Sequence, residues 1–236
     1  MKLVSTALLF LCAFGITGLA FADSPLEEAL KAYEARDYAK ARELLLIEAS
    51  AGNTEAQFTL GFMYANGDGV PRDYVESARW YRMAAERGDV SAQMVLGGMY
   101  ARGEGVPQDP AEAVKWYARS ADQGNFVAQY NLGYMYQNGK TVSTDVTEAA
   151  KWYRKAADLR YAPAQYALGL MYAKGEGVQR DPVEAYAWLA VAGANKHGLA
   201  PAAMEQVAKG MSIAEVEKAQ QLTTQYLAMY SRQKSD

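Results

Sequence analysis

Between residues 56 and 196 apolar and small side chains return in a fixed order. Ala56, Leu60, Met63 and Tyr64 follow the i, i+4, i+7, i+8 spacing of one buried helix face. That stripe ends at Gly67, and a short Gly-Asp-Gly-Val-Pro-Arg link leads to a second stripe of Trp80, Tyr81, Ala84 and Ala85, which stops at Gly88. The pair then repeats three times with no insertion. Gly61, Gly97, Gly133 and Gly169 are spaced by 36 residues, as are Trp80, Trp116, Trp152 and Trp188. A fixed period of this length marks a solenoid, in which each unit buries its apolar face only against its neighbours. The pattern predicts four helical hairpins, at 56–88, 92–124, 128–160 and 164–196.

Polar residues place the helix ends. Asn53, Asp89 and Asn125 precede the leading helix of the first three hairpins at one register and serve as N-caps. The fourth has Tyr161 there, with Pro163 suited to a first helical turn. Each trailing helix opens with an Asp and a Glu three residues on: Asp73/Glu76, Asp109/Glu112, Asp145/Glu148 and Asp181/Glu184. This spacing predicts a capping box, the Asp accepting from the backbone while the Glu reaches back. It also accounts for these carboxylates without acid–base chemistry. A glycine kept in the middle of each leading helix gives up about 1 kcal/mol of helix propensity, which predicts close packing there.

Outside the four copies, Leu26–Ala35 and Asp37–Gly52 read as a degenerate hairpin (26–52), with Leu44 and Leu45 in the Trp and Tyr places. Residues 200–230 read as two terminal helices, the second opening on Ser212-Ile-Ala-Glu215. Atypical end units of this kind cover the open faces of a solenoid.

The recurring string A-x-x-x-L-G-x-M-Y-x-x-G-x-G-V-x-x-D, followed by A-x-x-W-Y-x-x-A-A-x-x-G, resembles the Sel1-like repeat, a longer-looped relative of the tetratricopeptide repeat. The resemblance covers residues 56–196, and 28–55 in degraded form. It implies an all-α fold, a right-handed α/α superhelix, and a role in holding a protein or peptide partner. It implies no chemistry and no cofactor. Departures from the pattern are few. Copy three has Lys140-Thr141 where the others have an acidic residue and Gly, and Arg160-Tyr161 where Gly88-Asp89 stands. Copy four has Leu189 in the place of Tyr81. Trp188, beside that altered end, is expected to matter less for stability than Trp116 and Trp152.

Residues 1–22 are a different object. Lys2 precedes an apolar run from Leu3 to Gly18, and Ala20-Phe21-Ala22 fits a small-x-small cleavage site, so the stretch reads as a cleaved signal of an exported bacterial protein, periplasmic or secreted. Its removal takes away Cys12, the one cysteine, and leaves an exported domain (23–236) without a disulfide. No second run approaches membrane length. The 24 Lys and Arg lose Lys2 and face 27 Asp and Glu, with no clustered basic face for nucleic acid.

Candidate chemistry is sparse. His197, the single histidine, lacks partner ligands for a metal or catalytic role. The GDGV and GEGV loops have neither the Lys-Ser/Thr nor the strand of a phosphate loop. Some cysteine-rich relatives of the repeat family are described as penicillin-recognising hydrolases. Ser231-Arg-Gln-Lys234 matches S-x-x-K, but without the companion motifs it reads as chance. What varies among the copies points instead to recognition. Position 58 is always large (Phe58, Met94, Tyr130, Tyr166) and is assigned to the core. Three other positions of the leading helix change freely and lie on the opposite face, which is expected to line the concave side. They supply the candidates Thr59, Phe62, Asn66, Arg102, Asn131, Tyr134, Asn138, Leu170 and Lys174. A rival reading, a cell-wall glycan binder, would stack sugars on Tyr130, Tyr134 and Tyr166.

Overall fold

The computed structural model describes residues 24–138 and 144–232, with side chains as far as Met229. The signal-like stretch 1–22, the Lys140-Thr141 loop and the side chains of the Ser231–Lys234 motif lie outside this range. Among the described residues there are twelve helices and no strand. Helices α1 (Pro25–Glu34) and α2 (Tyr38–Ser50) form the degenerate hairpin. The four regular hairpins follow as α3 (Thr54–Asn66) with α4 (Tyr74–Glu86), α5 (Val90–Arg102) with α6 (Pro110–Asp122), α7 (Phe126–Asn138) with α8 (Val146–Asp158), and α9 (Ala162–Lys174) with α10 (Pro182–Ala194). Helices α11 (Ala200–Ala208) and α12 (Ile213–Arg232) close the chain. None of these helices is long and apolar enough to cross a membrane.

Each hairpin builds its core with the help of the next. Trp116 of α6 closes the cluster made by Ala78, Tyr81, Ala84 and Ala85 of α4 with Ala92, Leu96 and Met99 of α5. Trp80, Trp152 and Trp188 do the same for the cores on either side. The mid-helix glycines make this packing possible. A Cβ on Gly61 would stand 2.9 Å from the Tyr81 ring, and one on Gly133 would stand 2.7 Å from Tyr153. In the last copy Leu189 fills the place of that ring, 2.8 Å from the same imagined carbon on Gly169.

A second set of repeated contacts has no counterpart in the apolar pattern. Gln57, Gln93, Gln129 and Gln165 are buried, and each Nε2 donates to the carbonyl of Ala49, Ala85, Ala121 or Ala157 in the preceding trailing helix, at 3.0–3.1 Å. Each amide ties one hairpin to the next. Periodicity of hydrophobic residues does not reveal them; their signal in the sequence is the 36-residue spacing of the four glutamines themselves.

Asn53, Asp89 and Asn125 cap their helices as expected, and Tyr161 makes no side-chain cap bond. At the trailing helices only half of the expected capping box forms. Asp73, Asp109, Asp145 and Asp181 accept from the first-turn amides. Their own N–H groups donate to the carbonyls of Tyr64, Tyr100, Tyr136 and Tyr172 of the leading helices, so no Glu is needed there. Glu76, Glu112 and Glu148 instead pair with Arg79, Lys115 and Lys151. Among the described residues the reciprocal box forms only at Ser212/Glu215.

The end of the solenoid also corrects the sequence expectation for Trp188. The cations that pair with Glu112 and cover Trp116 in copy two, Lys115 and Arg119, become Ala187 and Val191 in copy four. Glu184 is thereby left to accept from Trp188 Nε1 at 2.9 Å and from the Tyr226 hydroxyl at 3.0 Å. Tyr226, from α12, lies 4.6 Å from the Trp188 ring, and burial and the Glu184 carboxylate push its phenol up to about 12. Trp188 is 1% exposed against 7% for Trp116, which makes it the best-covered tryptophan of the four.

Candidate functional site

The expected recognition residues divide into two groups. In the first two hairpins they are occupied by close neighbours. Thr59 Oγ1 donates to the Glu55 carbonyl, Asn66 Nδ2 to Asp68, and Arg102 to Glu104 at 2.8 Å. Phe62 is exposed but sets its edge against Tyr33 of α1, 6.5 Å away. Gly98, at the same register as Phe62, leaves no side chain there.

In the last two hairpins the same positions converge. Tyr134 of α7 and Leu170 and Lys174 of α9 line one concave pocket of about 290 Å³. Gln137, Tyr153, Glu176 and Leu199 contribute further walls. Tyr153 donates to Gln137 Oε1 at 3.0 Å, and Lys174 stands 3.6 Å from Glu176, a looser pairing than that of Arg102. Asn131 is half-buried, and Asn138 spends one amide donor on the Tyr134 carbonyl of its own helix at 2.8 Å.

Position 58, assigned to the core from its constant size, is only half-buried. Phe58 and Tyr130 pack on Tyr81 and Tyr153, 5.2 and 5.5 Å away. Tyr130 and Tyr166 also line the pocket. Large size at this position supports the trailing helix at Phe58 and Tyr130, and only at Tyr130 and Tyr166 does it also wall the pocket. His197 was missed as a wall residue because it is single and in a loop. It stacks on Tyr166 with ring centroids 4.2 Å apart and planes at 18°. Burial lowers its pKa below the ordinary histidine value, so the ring is neutral at neutral pH.

An aromatic ladder leads into this pocket. Phe126 lies 5.1 Å from Tyr161, Tyr161 lies 5.4 Å from Tyr130, and Tyr130 meets Tyr153. Phe126, Tyr134, Leu159 and Leu199 are 43%, 49%, 49% and 65% exposed. Phe126 and Leu159 at the α8–α9 junction, with Tyr134 and Leu199 on the pocket wall, leave large apolar side chains open to water, a feature of the kind that marks an interaction surface.

This junction also gives up local stability. Gly52, Gly88 and Gly124 hold positive φ where one hairpin meets the next, and Arg160 holds φ 66 at the same register. A side chain in that region costs about 1 kcal/mol. Losing the cap at Tyr161 costs about as much again. One position earlier, Gln123 and Asn195 donate to the buried oxygens of Gln93 and Gln165, both at 2.8 Å. Leu159 has no donor, and the Gln129 oxygen is left without a partner, as is the Gln57 oxygen in the first hairpin, where Arg87 holds this register.

Comparison with known proteins bears on this arrangement. The Sel1 repeat family model matches residues 54–89, 90–125, 127–161 and 162–197. The crystal structure of a Sel1 repeat protein from Oxalobacter formigenes superposes with a TM-score of 0.72 at 31% identity, covering 86% of this chain and 84% of that one. A protective antigen present in uropathogenic Escherichia coli strains, displaying an SLR fold, gives 0.54 at 30% identity, over 89% of this chain and 54% of that one. No curated protein matches the chain.

Proposed function

Because the chain belongs to the Sel1 repeat family, whose members are generally non-catalytic scaffolds for protein partners, we propose that it is an exported scaffold binding a protein or peptide along the leading helices, on the concave side of the solenoid. One observation carries the placement: Tyr134, Leu170 and Lys174, three positions that the packing code leaves free, meet in one pocket beside an exposed aromatic ladder. A tyrosine there supplies contact area with a polar tip at modest entropy cost. Export rests on the signal-like pattern of residues 1–22. N-terminal sequencing of protein from the periplasm or medium should find Asp23 first, and recovery of Met1 would remove that part of the proposal.

The glycan reading fits the same pocket less well. A sugar needs an open ring face, yet Tyr166 is covered by His197, and Tyr130 packs against both Tyr153 and Tyr161. Tyr134 alone of the three is freely exposed. Changing Tyr134 and Asn138 together to Ala tests the site. A partner identified by in-cell crosslinking and mass spectrometry should bind at least about tenfold more weakly, about 1.4 kcal/mol, with helicity and melting unchanged. Unfolding would make these residues core, and unchanged capture would place the site elsewhere on the solenoid.

A further inference from the structure

We infer that His197 is an acid-operated latch on the pocket: as a neutral ring it covers Tyr166, and on gaining a proton it swings out and opens that wall. The inference concerns the wall itself and stands whatever occupies the pocket. Copies three and four supply the comparison. Tyr161 and His197 share one register, 36 residues apart. Each sets its ring on a tyrosine of the preceding leading helix, Tyr161 on Tyr130 at 5.4 Å and His197 on Tyr166 at 4.2 Å. Only the second contact carries a group that gains a proton near neutral pH, and it is the chain's single histidine.

The His197 ring is placed for one charge state. It lies nearly flat on Tyr166, with planes at 18°, and its Nδ1 is buried without a hydrogen-bond partner among the described residues. A neutral imidazole can leave that nitrogen as a bare lone pair. A proton added there makes a buried donor with no acceptor, on a cation that has lost part of its water. An imidazolium gains something from a tyrosine face, yet an unsatisfied buried donor costs more.

Surrounding groups do not offset that cost. To the shared walls α7 contributes Tyr130 and Tyr134, α8 Tyr153, and α9 Tyr166 and Lys174, whose charge Glu176 balances at 3.6 Å. Helix α10 brings Tyr186 and Glu184, and the latter is taken by Trp188 and by Tyr226 of α12. Lys196 precedes the ring in the chain, and α11 has no titratable residue before Glu205. Burial alone shifts the His197 pKa, and it does so downward.

The ring can leave while the backbone stays. The His197 N–H donates to the Ala192 carbonyl at 2.9 Å, and its carbonyl accepts from the Ala200 N–H at 3.1 Å. Rotation of the half-buried side chain is enough to bring the ring into water. Below the ordinary histidine pKa of about 6.5 the open ring binds a proton that the covered ring resists. The stacked contact is therefore complete above that pH and is lost as pH falls below it. Opening frees the Tyr166 face in the pocket that the exposed Tyr134 also lines, so acid changes what the pocket offers an occupant.

NMR of the untagged chain tests this without any partner, since one histidine gives one set of ring signals. At about pH 8 the His197 ring should show nuclear Overhauser contacts to the Tyr166 ring. Its titration midpoint should lie below about 6.5, and the contacts should vanish over the same steps. A midpoint at or above that value, or contacts that survive in the protonated ring, would overturn the inference. Two variants separate charge from packing. His197→Phe keeps a ring without titration, and His197→Tyr installs the residue that copy three carries at this register. Between about pH 7.5 and 5 the parent's melting temperature should fall by about 2–4 °C more than that of either variant. Melting temperatures that decline in parallel would equally overturn it. Each of these readouts is independent of partner capture, which the Tyr134 and Asn138 double change decides separately.

Discussion

The α4–α5 and α8–α9 junctions join the same two helix types, each 13 residues long, under the same Trp and Tyr pair. At the first, Gly88 takes the left-handed turn at φ 96 and Asp89 bonds the Ala92 amide at 2.7 Å. At the second, Arg160 takes the turn and Tyr161 leaves the helix uncapped, while the buried glutamine oxygen goes unpaired at both, Gln57 at the first and Gln129 at the second. Identical architecture thus carries a junction built for stability and one built with something else to satisfy. Local rules broken together at one place, while the core beneath stays regular, are the expected mark of a functional site.

The comparison breaks first if the two halves do not share one core. Truncating Trp116 to Ala should cost roughly 3–5 kcal/mol in chemical denaturation, the range for a buried large aromatic. Trp188→Ala should cost at least as much, because the Glu184 bond and the Tyr226 ring depend on it. A clearly smaller loss at Trp188 would show that α12 adds nothing to the last core. A second test concerns the tight loops. A Cβ on Gly105 would run into the Tyr74 carbonyl at φ 69, so Gly105→Ala should cost about 2–3 kcal/mol. A neutral result would mean that the hairpins do not interlock through this loop.

Smaller effects sharpen the contrast between the junctions. Asp89→Ala should lose about 1 kcal/mol of stability with its cap. In the opposite sense, L159Q/R160G should gain about 1–2 kcal/mol, from a partner for the Gln129 oxygen and relief at φ 66. Thermal melts of the two variants should therefore move in opposite directions. A fall in both would show that the α8–α9 junction was not giving up stability.

Most of the fold could be read from the chain because a repeat reports its own packing. Leu60, Met63, Trp80 and Tyr81 recur for one reason, that each hairpin must fit the next. What escaped was polar or non-local. The Gln57 series holds hairpins together by hydrogen bonds that no apolar period records. Glu76 has the spacing of a capping box, but the leading-helix carbonyl of Tyr64 reaches the Asp73 amide first. Trp188 looked peripheral because Tyr226, which covers it, is 38 positions further along the chain. The candidate site was half legible. Variation among the copies marks Tyr134, Leu170 and Lys174 as free positions, whereas constant size assigns Tyr130 and Tyr166 to the core and the pattern leaves His197 in a loop. Their role appears only when successive hairpins are set side by side.

Position-resolved photo-crosslinking tests the central claim most directly. The chain is expressed with a photo-reactive benzoylphenylalanine in place of Tyr134, and in parallel in place of Tyr74, another exposed tyrosine, at the start of α4. Irradiation of intact cells should give one discrete protein adduct from position 134 and none from position 74. No adduct from 134, or the same adduct from both positions, would contradict a partner held in the pocket between α7 and α9.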